Sequence, residues 1–447
     1  MSFPSYATYR ESGAEWPALV PSHWTIAPLK RHVRLISERT ERRTRAIALE
    51  HVESWSGRLL LSATEAEFEG DGVRFESGDV LYGKLRPYLA KVLAADFSGE
   101  AVGDFHVLRP ADTLHCRFLS YALRTNEAVS ALNGSTNGAK MPRVGWDFMG
   151  SMAFPIPPRH EQLAIIAFLD RETGKIDALV EEQKRLIELL KEKRQAVISH
   201  AVTKGLNPDA PMKGSGIEWL GEVPAHWTVC PLKLLTPPER SIMYGIVLPG
   251  PDVDDGIPII KGGDVKPKRL RPELLCRTTP EIEAPYARAR LRANDIVYSI
   301  RGSIGEAELV PAELDGANIT QDVARISPIA DVNNLWLLHA MRSMPVFVQL
   351  EQRSLGAAVR GINIFDLKRA QIPLPPRAEQ DDIATFLGNE VARINRLLHG
   401  AAGAISILLE RRSALISAAV TGKIDVRALA TADAQVSTAP IREAAEA

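Results

Sequence analysis

Long hydrophobic runs are missing from this 447-residue chain. No stretch of about 18 or more apolar residues occurs, so no membrane-spanning helix is expected. The first residues lack a charged stretch leading into an apolar one, and no secretory signal is expected either. Cysteine is scarce. Cys116, Cys230 and Cys276 lie far apart and fit no metal-ligand spacing, which points to a reducing, cytoplasmic compartment and to no zinc site. Catalytic motifs are missing as well. No Gly-x-x-x-x-Gly-Lys-Ser/Thr phosphate loop is present, which argues against an NTPase. No Asn/Asp-Pro-Pro-aromatic segment occurs, and Asn207-Pro208-Asp209-Ala210 reads as a linker turn. Methylation of a base amino group therefore lacks its usual pocket. No glycine-rich dinucleotide fingerprint follows a strand, and the histidines form no ligand cluster. Glu182-Gln183-Lys184 resembles a nuclease fragment but falls on an expected helix. The chain is read as non-catalytic, with no cofactor and no metal.

Charge of one sign is not in excess: the formal net charge is −1, whereas nucleic-acid-binding domains usually carry a basic surplus. The distribution says more than the sum. Residues 30 to 45 hold seven Lys or Arg against two Glu. Lys261, Lys266, Lys268, Arg269 and Arg271 form a second concentration at a comparable place later in the chain. One basic run is ordinarily a solvated face; two at related positions favour phosphate contact.

What the chain does have is a two-fold repeat, with matching blocks 203 to 218 positions apart. Glu15-Trp16, Pro21-Ser22-His23-Trp24-Thr25 and Pro28-Leu29-Lys30 return as Glu218-Trp219, Pro224-Ala225-His226-Trp227-Thr228 and Pro231-Leu232-Lys233. Asp79-Val80-Leu81-Tyr82 returns as Asp295-Ile296-Val297-Tyr298. From Pro155 onward the offset is a constant 218, so Pro157-Pro158-Arg159-His160-Glu161-Gln162 aligns without gaps on Pro375-Pro376-Arg377-Ala378-Glu379-Gln380. Between these blocks the halves diverge. A fixed frame with a variable filling is the pattern of one scaffold presenting two different readers.

Each half divides into a mixed globular part, 1–157 and 214–375, and a helical part, 158–213 and 376–427, with a disordered tail over 428–447. The globular parts alternate apolar residues in short stretches such as Val80 to Tyr82 and Ile296 to Ile300, as strands do. Proline at Pro158 and Pro376 suits a first helical turn, and Glu161 and Glu379 just beyond favour the helix dipole. Ile176, Leu179, Gln183, Leu186, Leu190, Lys193 and Val197 step by three and four, and Ile394, Leu397, Ala401, Ala404, Leu408, Arg411 and Leu415 repeat the steps. This is a heptad seam with Lys193 and Arg411 as matching polar interruptions. Gly205 and Gly422 close the helices. A pseudo-two-fold arrangement would pair them antiparallel, over a span of roughly 33 Å at about 1.5 Å per residue. The fold class is thus α+β, two mixed globular domains alternating with two long paired helices.

Candidate recognition residues lie in two loops of each globular part. Tyr82, Lys84 and Arg86 follow one strand, and Tyr298, Arg301 and Ser303 follow its counterpart. Arginine can read guanine bidentately, and tyrosine can contact phosphate or stack. A second loop carries Asn137, Lys140 and Arg143, matched by Arg353 and Arg360. Trp24 and Trp227 read as packing residues rather than ligand contacts.

The paired Pro-x-Pro-Pro-x-x-Glu-Gln segments, each leading to a helix ending in Ala-Val-Thr, and the paired Pro-x-His-Trp segments resemble the specificity subunits of type I restriction-modification enzymes. The resemblance covers about 1–424. It implies two target-recognition domains, each reading one half of a bipartite double-stranded DNA target, and helical regions that set the spacer. It further implies two methyltransferase (modification) subunits as partners, restriction/translocase subunits where the host has them, and no membrane. Catalysis would reside in those partners. The alternative is a stand-alone nuclease or methyltransferase with an active site of unfamiliar form.

Overall fold

The computed structural model describes residues 3–14, 16–41, 44–60, 71–136, 141–353 and 361–429. Its contacts divide into two units, Met1–Lys184 with Gly403–Ala447, and Arg185–Ala402. Each long helix therefore contributes one portion to each unit.

In the first unit an antiparallel sheet orders its strands as Val33–Ile36, Phe105–Pro110, Val80–Gly83 and Val92–Ala94. A smaller sheet joins Arg39–Thr40, Gly72–Phe75, Gly99–Val102 and Ala46–Ile47. The strand Val80–Gly83 is buried on both faces. Side chains alternate across a strand, so Val80 and Tyr82 enter the core that holds Trp24, Phe118 and Phe154, while Leu81 enters the core of Phe75 and Val107. That two-sided burial explains the unbroken apolar run.

The second unit repeats the plan. Its sheet runs Met243–Tyr244, Val323–Ile326, Ile296–Ser299 and Ala307–Leu309. Ile296 and Tyr298 face a core with Trp227 and Trp336, and Val297 faces one with Ile260 and Ile319. The aspartate that opens each repeated block ties down its turn. Asp79 accepts the Glu76 amide at 2.8 Å and a two-point ion pair from Arg109 at 2.7 and 2.8 Å. Asp295 accepts the Arg292 amide at 2.8 Å and Arg240 at 2.6 Å. Arg109 comes from a strand and Arg240 from the short 3-10 helix Pro238–Arg240, yet the buried charge is balanced in both, as burial of a carboxylate requires.

The long helices span Arg159–Lys204 and Arg377–Val420. Within the first unit Tyr6 and Tyr9 link Glu161, at the start of the first helix, to Gly422, just past the end of the second. Further along the first helix Asp177 meets Arg412, which lies earlier in the second. Within the second unit Trp227 sits beside Gly205, past the end of the first helix, and bonds Glu379 at the start of the second. Arg194, earlier in the first helix, bonds Asn395, further along the second. The helices are antiparallel. Gly205 and Gly422 end them with φ of 76° and 75°, left-handed values that cost a residue with a Cβ strain.

The seam differs from the expected one by one residue. Ile176, Leu190 and Leu415 are buried, but Leu179, Leu186 and Leu397 are 51%, 43% and 49% exposed, and Val180 is buried instead. Lys193 and Arg411 are exposed; the neighbouring Arg194 and Arg412 turn inward. A spacing of three or four fits both phases of a helix, and the leucines drew the assignment to the wrong one. Arg412 holds Asp177 at 2.9 Å while Arg194 holds Asn395 at 3.0 Å. Asp177 and Asn395, like Arg194 and Arg412, are 218 apart. One polar crossing therefore occurs twice, once as an ion pair and once as a guanidinium bonded to an uncharged amide. Among the expected tail residues, 430–447 lie outside the described residues.

Candidate nucleic-acid interface

Two of the repeated motifs meet in a clasp that fixes each globular part to a helix start. The Glu161 carboxylate is 2% exposed. It accepts Trp24 Nε1 at 2.9 Å, Tyr6 Oη at 2.9 Å and His23 Nε2 at 2.7 Å. Burial raises the Glu161 carboxyl, but the bonds from Trp24, His23 and Tyr6 outweigh it and hold the group below the usual glutamate range. Gln162 beside it accepts the His115 amide at 2.8 Å and donates to Pro157 O at 2.8 Å. The second unit builds the same clasp with Glu379, Trp227 at 2.9 Å and His226 at 2.6 Å, and Gln380 takes the Asn333 amide at 2.8 Å. The Pro-x-His-Trp and Glu-Gln motifs are thus a joint, and Trp24 and Trp227 are packing residues, as their sequence setting indicated.

Past the strand Val80–Gly83 the chain turns outward and meets the second candidate loop. Leu85 and Arg143 form an antiparallel bridge; Arg86 N–H donates to Pro142 O at 2.9 Å, and Val144 N–H to Lys84 O at 3.1 Å. Arg86 is exposed with φ of 52°, a conformation a non-glycine residue adopts only where its surroundings hold it. Asp104 accepts both nitrogens of the Arg143 fork at 3.0 and 2.9 Å and lies 3.9 Å from Lys84 Nζ. The second unit makes the same bridge from different residues. Arg301 pairs with Gly361, and Ile362 N–H donates to Ile300 O at 2.8 Å. In both halves the two loops thus form one surface.

The placement of the other candidates is mixed. Arg301 and Arg353 are exposed and Ser303 is half-buried. Asn137, Lys140 and Arg360 lie outside the described residues. Tyr82 and Tyr298 are corrected: at 1% and 0% exposure they belong to the core, because the strand carrying them is covered on both faces. Burial also pushes both phenols well above the ordinary tyrosine value. Neither side chain is in position to touch a duplex.

Sequence reasoning missed Asp104, although a signal existed. Asp104 and Asp322 stand at the constant 218 offset, and each backbone carbonyl receives the amide of the outgoing loop, Lys84 in one unit and Ile300 in the other. It also missed Tyr244, Gln321 and Asn363, which line a groove of about 600 Å³ beside the Arg301–Gly361 bridge. These come from separate segments that only the fold gathers. Among the described residues no group of three or more metal-ligating side chains is placed to hold an ion, and no helix is long and apolar enough to cross a membrane.

Residues 252–400 match the family model described as the type I restriction modification DNA specificity domain. The chain is 30% identical over 305 residues to the type I restriction enzyme EcoBI specificity subunit of Escherichia coli, a match covering 64% of each protein. The chain is thus similar to type I specificity subunits, through its second half in the family model and over a longer stretch in that relative. The match thus spans just under two thirds of that relative's length. The MjaVIII specificity subunit of Methanocaldococcus jannaschii is 23% identical over 317 residues, covering 70% of this chain and 71% of the relative. A solved chain from a type I restriction-modification system superposes with a TM-score of 0.69 at 18% identity, over 91% of this chain and 99% of that one. The HsdS subunit of Thermoanaerobacter tengcongensis gives 0.52 at 19% identity, over 92% and 100%. At these identities the two structures speak for the shared fold, including the long paired helices.

Proposed function

We propose that the chain is the non-catalytic, sequence-reading subunit of a type I restriction-modification assembly. Its recognition domains, 1–157 and 214–375, each read one half of a bipartite double-stranded DNA target. The helical regions, 158–213 and 376–427, set the gap between the half-sites and dock two modification subunits. Restriction/translocase subunits join where the host makes them, and the assembly works in the cytoplasm. The observation that carries this reading is the repeated loop bridge with unlike chemistry. Leu85–Arg143 with Lys84 and Asp104 in one unit becomes Arg301–Gly361 with Ile300 and Asp322 in the other. A common frame with different donors and acceptors is what two different half-sites require. Leu186 and Leu189, 43% and 53% exposed on the first long helix, support docking of apolar partner helices there.

The test is a domain exchange in the chain assembled with its modification subunits. Replacing 1–157 by the corresponding domain of another specificity subunit should change one half of the methylated motif and leave the other half intact. A change in both halves would defeat the two-reader reading. DNA cutting or methylation by the isolated chain would favour a stand-alone enzyme.

A further inference from the structure

The groove beside Arg301 continues past Tyr244 and Ile364 into a second hollow of about 400 Å³ lined by Arg288 and Lys368. No carboxylate side chain lines either hollow among the described residues. In a chain with a net charge of −1, three cations along one acid-free trough form a local basic track. Amides join them: half-buried Gln321 and exposed Asn363 both line the groove, and Asn363 Oδ1 caps Phe365 N–H at 2.9 Å. Neither the Arg301 guanidinium nor the Gln321 amide has a polar side-chain bond to another described residue. The glycine facing Arg301 matters. A Cβ at Gly361 would lie 3.3 Å from Arg301 Cγ and 3.5 Å from its Nε, so the arginine lies across the glycine along the groove wall. The matching position in the first unit is Arg143, whose fork Asp104 occupies.

The walls are held by a buried cation. Arg325, 1% exposed, donates to the carbonyls of Ser241 at 3.1 Å and Arg290 at 3.2 Å, and also to that of Arg288. It fastens the segment leading to Tyr244 to the segment bearing Arg288.

We infer that this trough is the base-reading track of the second recognition domain, with Arg301 and Gln321 reading base edges and Arg288 and Lys368 contacting phosphates. The inference rests on the DNA-reading function proposed above. Arginine matches guanine O6 and N7, and a glutamine amide matches adenine N6 and N7. The second half-site then contains a guanine opposite Arg301 and an adenine opposite Gln321.

The test uses the full chain assembled with its modification subunits, with the methylated motif read by sequencing and affinity followed against salt. Arg301→Ala and Gln321→Ala should each relax one position of the second half-site, lowering discrimination about 5- to 150-fold, with the first half-site and the spacer unchanged. Gln321→Glu keeps the side-chain shape and should move the preference at its position from adenine toward cytosine, whose N4 donates to a carboxylate. Arg288→Ala and Lys368→Ala should weaken all sequences alike and reduce the logarithmic salt slope by about 1 each. An intact first half-site in every variant shows that the complex has folded and assembled. A second half-site unchanged in both Arg301→Ala and Gln321→Glu overturns the track. A native complex with no bipartite motif at all would instead overturn the function on which the track rests.

Discussion

Replacing Glu161 by alanine should loosen the first clasp far more than Glu379→Ala loosens the second, and the geometry sets the difference. Glu161 serves three donors, two of them on side chains with almost no access to water: Trp24 is 1% and Tyr6 is 4% exposed. His23 is 42% exposed at its side chain, so water can take over its bond. A buried donor left without an acceptor costs about 1–3 kcal/mol, so two of them place Glu161→Ala at roughly 2–6 kcal/mol. Glu379 is itself 38% exposed at its side chain and serves one buried donor, Trp227, beside the exposed His226. Its loss should cost about 1–3 kcal/mol at most.

Peptide-level hydrogen exchange is the suitable assay, because it reports the opening of each clasp separately. Peptides over residues 19–29 and 222–232 contain Trp24 and Trp227. The dependence on pH gives a second check. The bonds to Glu161 depress its carboxyl in the folded chain, so its stabilisation is complete above the unfolded glutamate value, about 4.3. It fades as pH falls through the lower folded value. Glu161→Gln should remove that acid limb from the first clasp and leave the second untouched. Equal costs for Glu161→Ala and Glu379→Ala, or an acid limb surviving in Glu161→Gln, would refute the reasoning.

Three further outcomes follow from the same geometry. Arg412→Ala strands Asp177 in a partly buried site and should cost about 3 kcal/mol in chemical denaturation, whereas Asp177→Asn recreates the guanidinium–amide pair of Arg194 and Asn395 and should cost clearly less. Arg86→Ala should weaken DNA binding by the assembled complex, by about 1–3 kcal/mol with one relaxed position if it touches a base, or uniformly with a smaller salt slope if it touches phosphate; unchanged binding by a folded variant would make Arg86 structural. Four residues inserted near Glu188 lengthen the first long helix by roughly 6 Å at about 1.5 Å each. Both half-sites should persist while the methylated motif gains about two base pairs of spacer at roughly 3.4 Å each, and an unchanged spacer in an active complex would show that these helices are not the ruler.

The long helices were legible in the sequence because their signals are local: a proline and a glutamate at the first turn, apolar spacing of three and four, and a closing glycine. The seam phase was not, because Leu179 and Val180 are equally apolar and only the partner helix decides which one it covers. The loops proposed to read DNA were legible as loops, since divergence between repeat copies marks them. Their mutual bridge was hidden in contacts such as Leu85 with Arg143, 58 positions apart. Tyr82 and Tyr298 illustrate the opposite error. Their polar hydroxyls invited a surface role, but a strand buried on both faces leaves no outward side for an alternate residue to occupy.

The two repeats together separate holding from reading on physical grounds. Glu161 and Glu379, Gln162 and Gln380, Trp24 and Trp227, and Asp79 and Asp295 keep identity in both halves because each pair meets a shared core of partners around a carboxylate, an amide or an indole. A buried polar group with defined partners tolerates few replacements. At the loop bridges the backbone bonds are kept while the side chains are not: Lys84 and Arg143 correspond to Ile300 and Gly361. Backbone pairing is indifferent to the side chains that project from it, so charge, amide and size can vary there without loss of the frame. A substitution in the first group should therefore appear as lost stability with an unchanged motif. One at the bridges or in the trough should appear as a changed motif with stability nearly intact.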